Sequence, residues 1–307
     1  MTFEIKRIKV SPHIYEQLGT KEKFWFAFKG ANVQTLFKYS RENTGEHWSE
    51  KVAEQLCKKL GIPHVSYEMA QMNERMGVIT NNIIPDMCRM IMGNEVLHAD
   101  SPTAYPKPEE KTQQFVRVKE HTVSRVLGCL DKSDIEPPSW ESVQGLNAGD
   151  VFCGYLLLDA LISNQDRHHE NWAIVINVQT QRKYLCETYD HAASLGRELL
   201  DAERQERLLT NDRNRKVETF VTKARSELFK LKTDKKPLLT TDAFFVSIEK
   251  REKAKQFWLD RLIKLTDADI RGIFDSIPTE VISELAREFA YQMVLENKKR
   301  LLADDRW

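Results

Sequence analysis

Asp166, Arg167, His168, His169, Glu170 and Asn171 stand in an unbroken row between two apolar runs, inside the stretch Ala160 to Val175. The interval from Asp166 to Asn171 is D-x4-N. In phosphoryl transfer, an aspartate at the head of such a loop accepts or orients the proton of the attacking hydroxyl. The asparagine and a second aspartate, delivered just after a short hairpin, hold a metal ion. Mg2+ suits this chemistry because it takes a few protein oxygens and keeps phosphate oxygens and water for the rest. Read alone, the same row is also a solvated helix-to-strand loop, since such connections gather charge.

The neighbouring sequence supplies the second aspartate. A helix is expected over Val151 to Ser163 and a strand over Trp172 to Ile176. The turn "VQTQR" reverses the chain, and a strand over Tyr184 to Tyr189 returns it to Asp190. Out-and-back strands of equal length bring a chain back to where it left. Asp190 is therefore expected beside Asn171, and Asp166, Asn171 and Asp190 on one spot.

Phosphoryl transfer also needs a strand lysine to hold the ATP phosphates and a helix glutamate to fix that lysine. The first 82 residues read as strands with one helix. "KFWFAF" (Lys23 to Phe28) and "VQTLFKYS" (Val33 to Ser40) form a hairpin around "KGAN". Lys38 lies between apolar neighbours near the end of the second strand; a solvent-facing lysine is the plainer alternative. A helix follows over Thr44 to Pro63, capped by Thr44 and stopped by Gly61 and Pro63. Val52, Ala53, Leu56, Cys57 and Leu60 form its apolar stripe. Glu46 and Glu50 both border that stripe, so periodicity leaves the partner of Lys38 open. "HVSYEMA" and "RMGVITNNI" read as two further strands. Before Lys38, Gly19 stands at a strand entry, where backbone amides could approach phosphates.

Beyond residue 82 the character changes. "DSPTAYPKPEEK" (Asp100 to Lys111) holds three prolines and reads as a loop. Helices are expected over Phe115 to Leu130, over Ala243 to Leu265, and from about Thr279 to Leu302. Thr266 with Asp269 is a capping pair before another short helix. The expected class is α+β, with a small β-rich lobe (residues 1–82) and a larger helical lobe (residues 83–307).

Composition narrows the function classes. The chain of 307 residues is long enough for two lobes with real cores. Its 46 basic and 46 acidic residues cancel, without the basic surplus of a protein that grips nucleic acid by its backbone. "FKLKTDKKP" reads as a solvated loop, and no direct nucleic-acid binding is expected. Cys57, Cys88, Cys129, Cys153 and Cys186 are scattered and form no CxxC pair. That pattern fits a reducing compartment, here the cytoplasm, and neither a disulfide framework nor a zinc ribbon. The first residues lack a secretory apolar segment, and no run approaches the length that spans a membrane.

Four places, in order, resemble the HipA-like serine/threonine kinases, the toxin kinases of bacterial toxin–antitoxin systems. "GTKEKF" resembles the family's nucleotide loop and "LFKYS" its nucleotide-lysine strand. "ISNQDRHHENWAI" resembles the catalytic loop, D-R-H-x-x-N after a helix, and "ETYDHAASLG" the metal-aspartate segment. The last two are the specific ones. The resemblance implies a two-lobed, protein-kinase-like fold and an ATP- and Mg2+-dependent protein kinase. It makes Asp166 the catalytic base, Asn171 and Asp190 the metal ligands and Lys38 the phosphate-holding lysine. It assigns Gly19, Thr20, Lys21, Glu22 and Lys23 to the nucleotide loop. It favours Glu50 as the helix glutamate, because Glu50 lies eleven residues before Gly61. Arg167 and His168 become structural members of the loop, and adenine is expected near Ile79 to Ile83.

The family reading also implies partners. The acceptor would be a protein, in some members an aminoacyl-tRNA synthetase, and a separate antitoxin would accompany the kinase. Gly19 comes so early that the N-terminal subdomain of full-length HipA toxins is expected to be absent or a separate protein, as in short-form members. The alternatives are a kinase with a small-molecule or lipid acceptor, or an ATP-binding regulatory protein without turnover. In HipA-like kinases a serine three residues before the loop glycine can be autophosphorylated. Here that position is Glu16, so the shut-off is expected to be missing, with control left to a partner or to Thr20.

Overall fold

Alternation of side chains along Thr35–Tyr39 separates two environments. Phe37 and Tyr39 join Ile8, Phe24, Phe26, Ala70, Met72 and Ile79 in an aromatic-rich core, with Phe24 and Phe37 stacked at 5.4 Å. Lys38, between them, belongs to the opposite face with its register partner Val78. In the computed structural model of the chain, residues 2–10, 14–15, 22–108, 117–132 and 134–304 are described, 14 and 15 by backbone alone. Gly19, Thr20 and Lys21 lie outside the described residues, as do Ser11, Glu16 and the side chain of Tyr15.

The strands here are β1 (Ile5–Arg7), β2 (Ile14–Tyr15), β3 (Lys23–Phe26) and β4 (Thr35–Tyr39), followed by helix α1 (Glu46–Leu60), β5 (Glu68–Met72) and β6 (Arg75–Asn81). Their spatial order is β1-β5-β6-β4-β3-β2. β4 therefore runs between β3 and β6, with Lys38 opposite Lys23 on one side and Val78 on the other. β5 and β6 are joined through Asn73 and Glu74, both in the left-handed region, the turn that matches strand twist in a tight hairpin.

The apolar stripe of α1 is wholly buried, and Gly61 ends the helix in the left-handed conformation at φ 65°. The N-terminus differs from expectation. Gly45 is the cap residue, and the Thr44 hydroxyl turns back to the Arg41 carbonyl at 2.8 Å. α1 is also fastened to the helical lobe. Arg261 donates to the Leu60 carbonyl at 2.8 Å, Lys59 pairs with Asp269 at 2.6 Å, and the His47 ring meets the Val281 carbonyl at 3.2 Å.

The second lobe comprises β7 (Cys88–Met92), α2 (Gly93–Asp100), α3 (Val123–Leu130), β8 (Ile135–Glu136), α4 (Ala148–Ile162), β9 (Ala173–Asn177), β10 (Lys183–Leu185), α5 (Asp201–Leu209), α6 (Val217–Val221), α7 (Thr240–Ile248), α8 (Glu252–Lys264), α9 (Asp267–Asp275) and α10 (Glu284–Leu302). All 15 residues of α4 are buried, as expected of a helix apolar on every side, and a capping box between Asn147 and Asp150 starts it. α3, α7, α8 and α10 pack around it. A small sheet in the order β7-β9-β10-β8 lies beside this core. Among the described residues no helix is long and apolar enough to cross a membrane.

The elements depart from expectation elsewhere too. The helix expected from Phe115 begins only at Val123, where the Thr122 side chain accepts from the Arg125 N–H; residues 109–116 are not described. The helix expected over Ala243 to Leu265 is broken into α7 and α8. Arg251 leaves the helical region at the break, and its guanidinium binds Asp150 and Asp131. The last helix starts at Glu284 rather than near Thr279, because Ser283 provides the cap for Ala286. The returning strand of the hairpin ends at Leu185 and not at Tyr189. The Thr266–Asp269 capping box is present as read.

Gly154 shows how tightly α4 is packed. A Cβ built there would sit 2.4 Å from the Trp258 ring, whose indole N–H is fixed on the Asp150 carbonyl at 2.7 Å. In an open helix, Gly→Ala gains about 1 kcal/mol of propensity. Here Gly154→Ala is expected to lower unfolding free energy by about 1–3 kcal/mol through overpacking. Urea denaturation checks this, and a stabilised variant would show that the helix–indole contact is looser than described.

Candidate active site

The loop after α4 is built around a buried ion pair. Arg167 is fully buried, and its guanidinium grips Asp159 of α4 with Nε to Oδ2 at 2.8 Å and Nη2 to Oδ1 at 2.9 Å. Burial works against the charge of Arg167, but Asp159 outweighs it and raises the pKa above the ordinary arginine value. The remaining guanidinium arm, Nη1, donates to the Asn171 carbonyl at 2.5 Å. One side chain thus ties the far end of the loop to the helix at its start. Asn164 extends the arrangement, donating to Asp159 at 2.8 Å and accepting the Asp166 N–H at 3.2 Å.

Within this frame Asn171 donates from Nδ2 to the Asp166 carbonyl at 2.6 Å, so the two ends of D-x4-N meet directly. Asn171 is buried, whereas about half of the Asp166 side chain (49%) is exposed, with its carboxylate 3.8 Å from His168 Nε2. The hairpin β9–β10 returns as its spacing requires. The Tyr189 hydroxyl donates to the Glu170 carbonyl at 2.8 Å, placing the residue before Asp190 on the loop itself.

Asp190 is the meeting point with the sheet lobe. Its carboxylate lies 3.4 Å from Lys38 Nζ, and its N–H donates to the Tyr67 hydroxyl at 3.3 Å. Its backbone is left-handed, φ 58°, a conformation that Asp tolerates better than most residues. Burial alone would lower the Lys38 ammonium. Asp190, then Glu50 and Glu46, more than offset this and hold its pKa above the ordinary lysine value. The lysine is therefore charged at neutral pH.

Glu50 reaches Lys38 through its field and not by contact. Its carboxylate accepts the His191 N–H at 2.8 Å and the His191 ring at Nδ1 at 3.1 Å, both partners being buried. The other ring nitrogen of His191 is hydrogen-bonded to the Thr188 hydroxyl at 2.8 Å. Glu50 thereby anchors the residue that follows Asp190, and α1 positions the aspartate segment. Glu46, the alternative left open by periodicity, pairs with Arg41 at 2.9 Å and Arg197 at 3.4 Å.

The other expected residues fall as follows. Glu22 pairs with Arg75 at 2.8 Å, and Lys23 is the cross-strand neighbour of Lys38. Ile79 belongs to the aromatic core of the sheet, while Ile83 packs both on Val65, Tyr67 and Val78 and on Ala173, Val175 and Cys186, at the junction of the lobes. Sequence reading missed Asp159, Tyr67 and the tie of Glu50 to His191. A carboxylate inside the otherwise apolar run "YLLLDALI" was the available signal for Asp159. The contacts of Tyr67 and His191 join positions too far apart in sequence to leave one.

The donor set suits a hard cation only in part on its own. Among the described residues no cluster of three or more His, Cys, Asp or Glu could hold a metal. One carboxylate and one carboxamide, Asp190 and Asn171, is the sparse protein contribution that Mg2+ accepts when phosphate oxygens complete its shell.

Solved structures share this architecture. The Helicobacter pylori proinflammatory kinase CtkA matches with a TM-score of 0.67 at 17% identity, over 92% of this chain and 91% of that one. A chain of the Shewanella oneidensis MR-1 toxin–antitoxin complex of HipA, HipB and operator DNA matches with a TM-score of 0.54 at 12% identity. That match covers 96% of this chain and 65% of the other. No protein-family model and no curated protein matches the sequence. The likeness is one of fold: a sheet lobe and a helical lobe in a protein-kinase-like α+β arrangement.

Two predictions follow from the geometry. Replacing Arg167 with Ala leaves Asp159 buried and unpaired, and should cost about 3–5 kcal/mol of stability. A loss below 1 kcal/mol in chemical denaturation would refute the buried pair. The second concerns acid. Burial first, then His169, lowers the pKa of His121 from 6.5 to about 3, and burial lowers that of His47 from 6.5 to about 4. Both folded values lie below the unfolded one, so the unfolded chain binds more protons between them. Stability should be complete above pH ~6.5 and fall as pH drops towards 4, by at most about 1.4 kcal/mol per pH unit for each histidine. His121→Gln should flatten that slope. An unchanged slope in urea titrations across pH would mean that His121 is not held neutral.

Proposed function

We propose that the chain is an ATP- and Mg2+-dependent protein kinase that transfers the γ-phosphoryl group to a serine or threonine hydroxyl. The observation that carries this reading is the Lys38–Asp190 pair, 3.4 Å apart, set beside a D-x4-N loop whose ends touch. A kinase-like fold makes such a junction the natural place for a nucleotide. In this reading Lys38 holds the ATP phosphates, its charge maintained by the three surrounding carboxylates. Asp166, on the open side of the loop, orients the acceptor hydroxyl and takes its proton. Asn171 and Asp190 would hold Mg2+, which supplies neutralisation of phosphate charge when bound. Glu50 keeps the Asp190 segment in register through His191, and Arg167 holds the span between Asp166 and Asn171. Much of the catalysis would come from this preorganisation of charge and position.

The finer reading is a HipA-type kinase with a protein acceptor, such as an aminoacyl-tRNA synthetase, and a separate antitoxin. It is supported by the motif resemblance around Asp166 and Asp190 and by the fold likeness to a chain of the HipA, HipB and operator DNA complex.

Incubation with labelled ATP and a bacterial lysate tests both levels, because a labelled protein band both reports transfer and identifies the acceptor. Asp166→Ala and Asp190→Ala should each lower transfer by at least about 100-fold while keeping the circular dichroism and melting behaviour of a folded chain. Lys38→Ala should weaken transfer far more than stability. A folded Asp166→Ala or Asp190→Ala protein with undiminished transfer would sink the assignment.

A further inference from the structure

The catalytic loop is braced from inside by Arg167, but it is also held from outside. The outer contacts converge on His169 and Trp172, two residues without a role in the proposed chemistry. The Asn94 N–H donates to the His169 carbonyl at 2.9 Å, and the Gly93 N–H to the Trp172 carbonyl at 2.9 Å. The approach is close enough that a Cβ on Gly93 would lie 2.6 Å from the His169 carbonyl oxygen and 2.2 Å from the Trp172 ring. These two amides belong to the start of α2. From beyond the other end of α2 comes Tyr105, buried, with its hydroxyl 2.6 Å from His169 Nδ1. Tyr105 is itself fastened to α2, its N–H on the Ser101 carbonyl at 2.9 Å and its carbonyl on His98 Nδ1 at 3.0 Å.

The Tyr105 hydroxyl and His169 Nδ1 form one short hydrogen bond, which ties the ring of a loop residue to the segment that follows α2. Main-chain contacts hold the loop at His169 and, through the Tyr189 hydroxyl, at Glu170. The ring of His169, held by Tyr105, adds a side-chain point between Asp166 and Asn171. Trp172 adds another: its indole N–H donates to His121 Nε2 at 3.2 Å, and His121 donates from Nδ1 to the Glu227 carbonyl at 3.1 Å. The connection from α2 to α3 thus touches the catalytic loop at its middle, where Tyr105 meets His169, and just past its far end, where His121 meets Trp172.

We propose that Tyr105 is a positioning residue for the transfer reaction, acting through His169 to fix the orientation of the loop that carries Asp166 and Asn171. The inference rests on the kinase reading above. Neither residue touches the reacting atoms; the pair sets where those that do are held.

The test uses the full chain and Tyr105→Phe, which keeps the ring and removes only the hydroxyl. With labelled ATP, kcat should fall about tenfold, the effect of a small misplacement of reacting groups, while KM for ATP stays within about twofold. Hydrogen–deuterium exchange over residues 164–172 should rise in the variant. His169→Asn should give a similar loss, and the double variant no further loss, because both changes remove one contact. Unchanged kcat and unchanged exchange in Tyr105→Phe would overturn the proposal. So would parallel changes in kcat, KM and melting temperature, which mark simple destabilisation. Absence of transfer by the unmodified chain, or transfer that survives Asp166→Ala, would instead overturn the kinase reading. The exchange comparison would still decide whether Tyr105 holds the loop.

Discussion

Arg167 carries a permanent charge in a place from which water is excluded. Stripping a guanidinium and a carboxylate of water costs several kcal/mol for each ion, and only close, multiply hydrogen-bonded geometry offsets it. Asp159 meets this requirement with both of its oxygens, and Asn164 adds a further donor to the same carboxylate. Because Asp159 projects from a helix buried on all sides, the core of the helical lobe dictates where Arg167 must be. Arg167 in turn dictates where Asn171 must be, through its third hydrogen bond. α10 reinforces the origin of the loop, with Asn297 donating to the Leu161 carbonyl and to Ser163. The separation of Asp166 and Asn171 is in this sense a property of core packing.

The sheet lobe contributes charge to a site whose frame lies in the helical lobe. Lys38 stays protonated in a largely buried setting because Asp190, Glu50 and Glu46 surround it. The division of labour between the carboxylates is spatial. Asp190 touches the lysine, whereas Glu50 is committed to the backbone and ring of His191. That commitment keeps a left-handed aspartate in place, together with the Tyr67 hydroxyl that receives its N–H. Strained backbone at a chemically loaded residue persists only where its surroundings over-determine it, as they do here.

What could be read from the sequence follows from range. The polar row at Asp166 was visible because it interrupts two apolar runs, and strand lengths announced the hairpin, although its return strand stops at Leu185 and Asp190 is held by Tyr67 and by Glu50 through His191. The stripe of α1 and its glycine stop were equally legible, since helix periodicity and left-handed caps are local properties. The break between α7 and α8 was not. "IEKREKAK" holds neither Gly nor Pro, and the chain turns at Arg251 to reach Asp131 and Asp150, more than 100 residues earlier. β7 escaped notice because "CRMIM" has no clean alternation and its partner strand β9 lies far along the chain. In the candidate site, residue types announced Lys38, Asp166, Asn171 and Asp190. The choice of His191 as the partner of Glu50, and of Asp159 as that of Arg167, required the packed structure.

The fastening of α1 has a mechanical consequence. Its C-terminal carbonyl is held by Arg261, its last turn by Asp269, and its first turn through His47 at Val281. A rigid-body motion that spares these contacts carries α1 along with the helical lobe. The sheet lobe meets α1 as well, with Lys51 donating to the Tyr67 carbonyl just before β5 at 2.6 Å, so an opening between α1 and the sheet would have to break that bond. In such a motion Asp190, anchored through Glu50, would stay with α1, and Lys38, on β4, would move with the sheet. The separation of those two side chains becomes the coordinate along which opening and closing would be read.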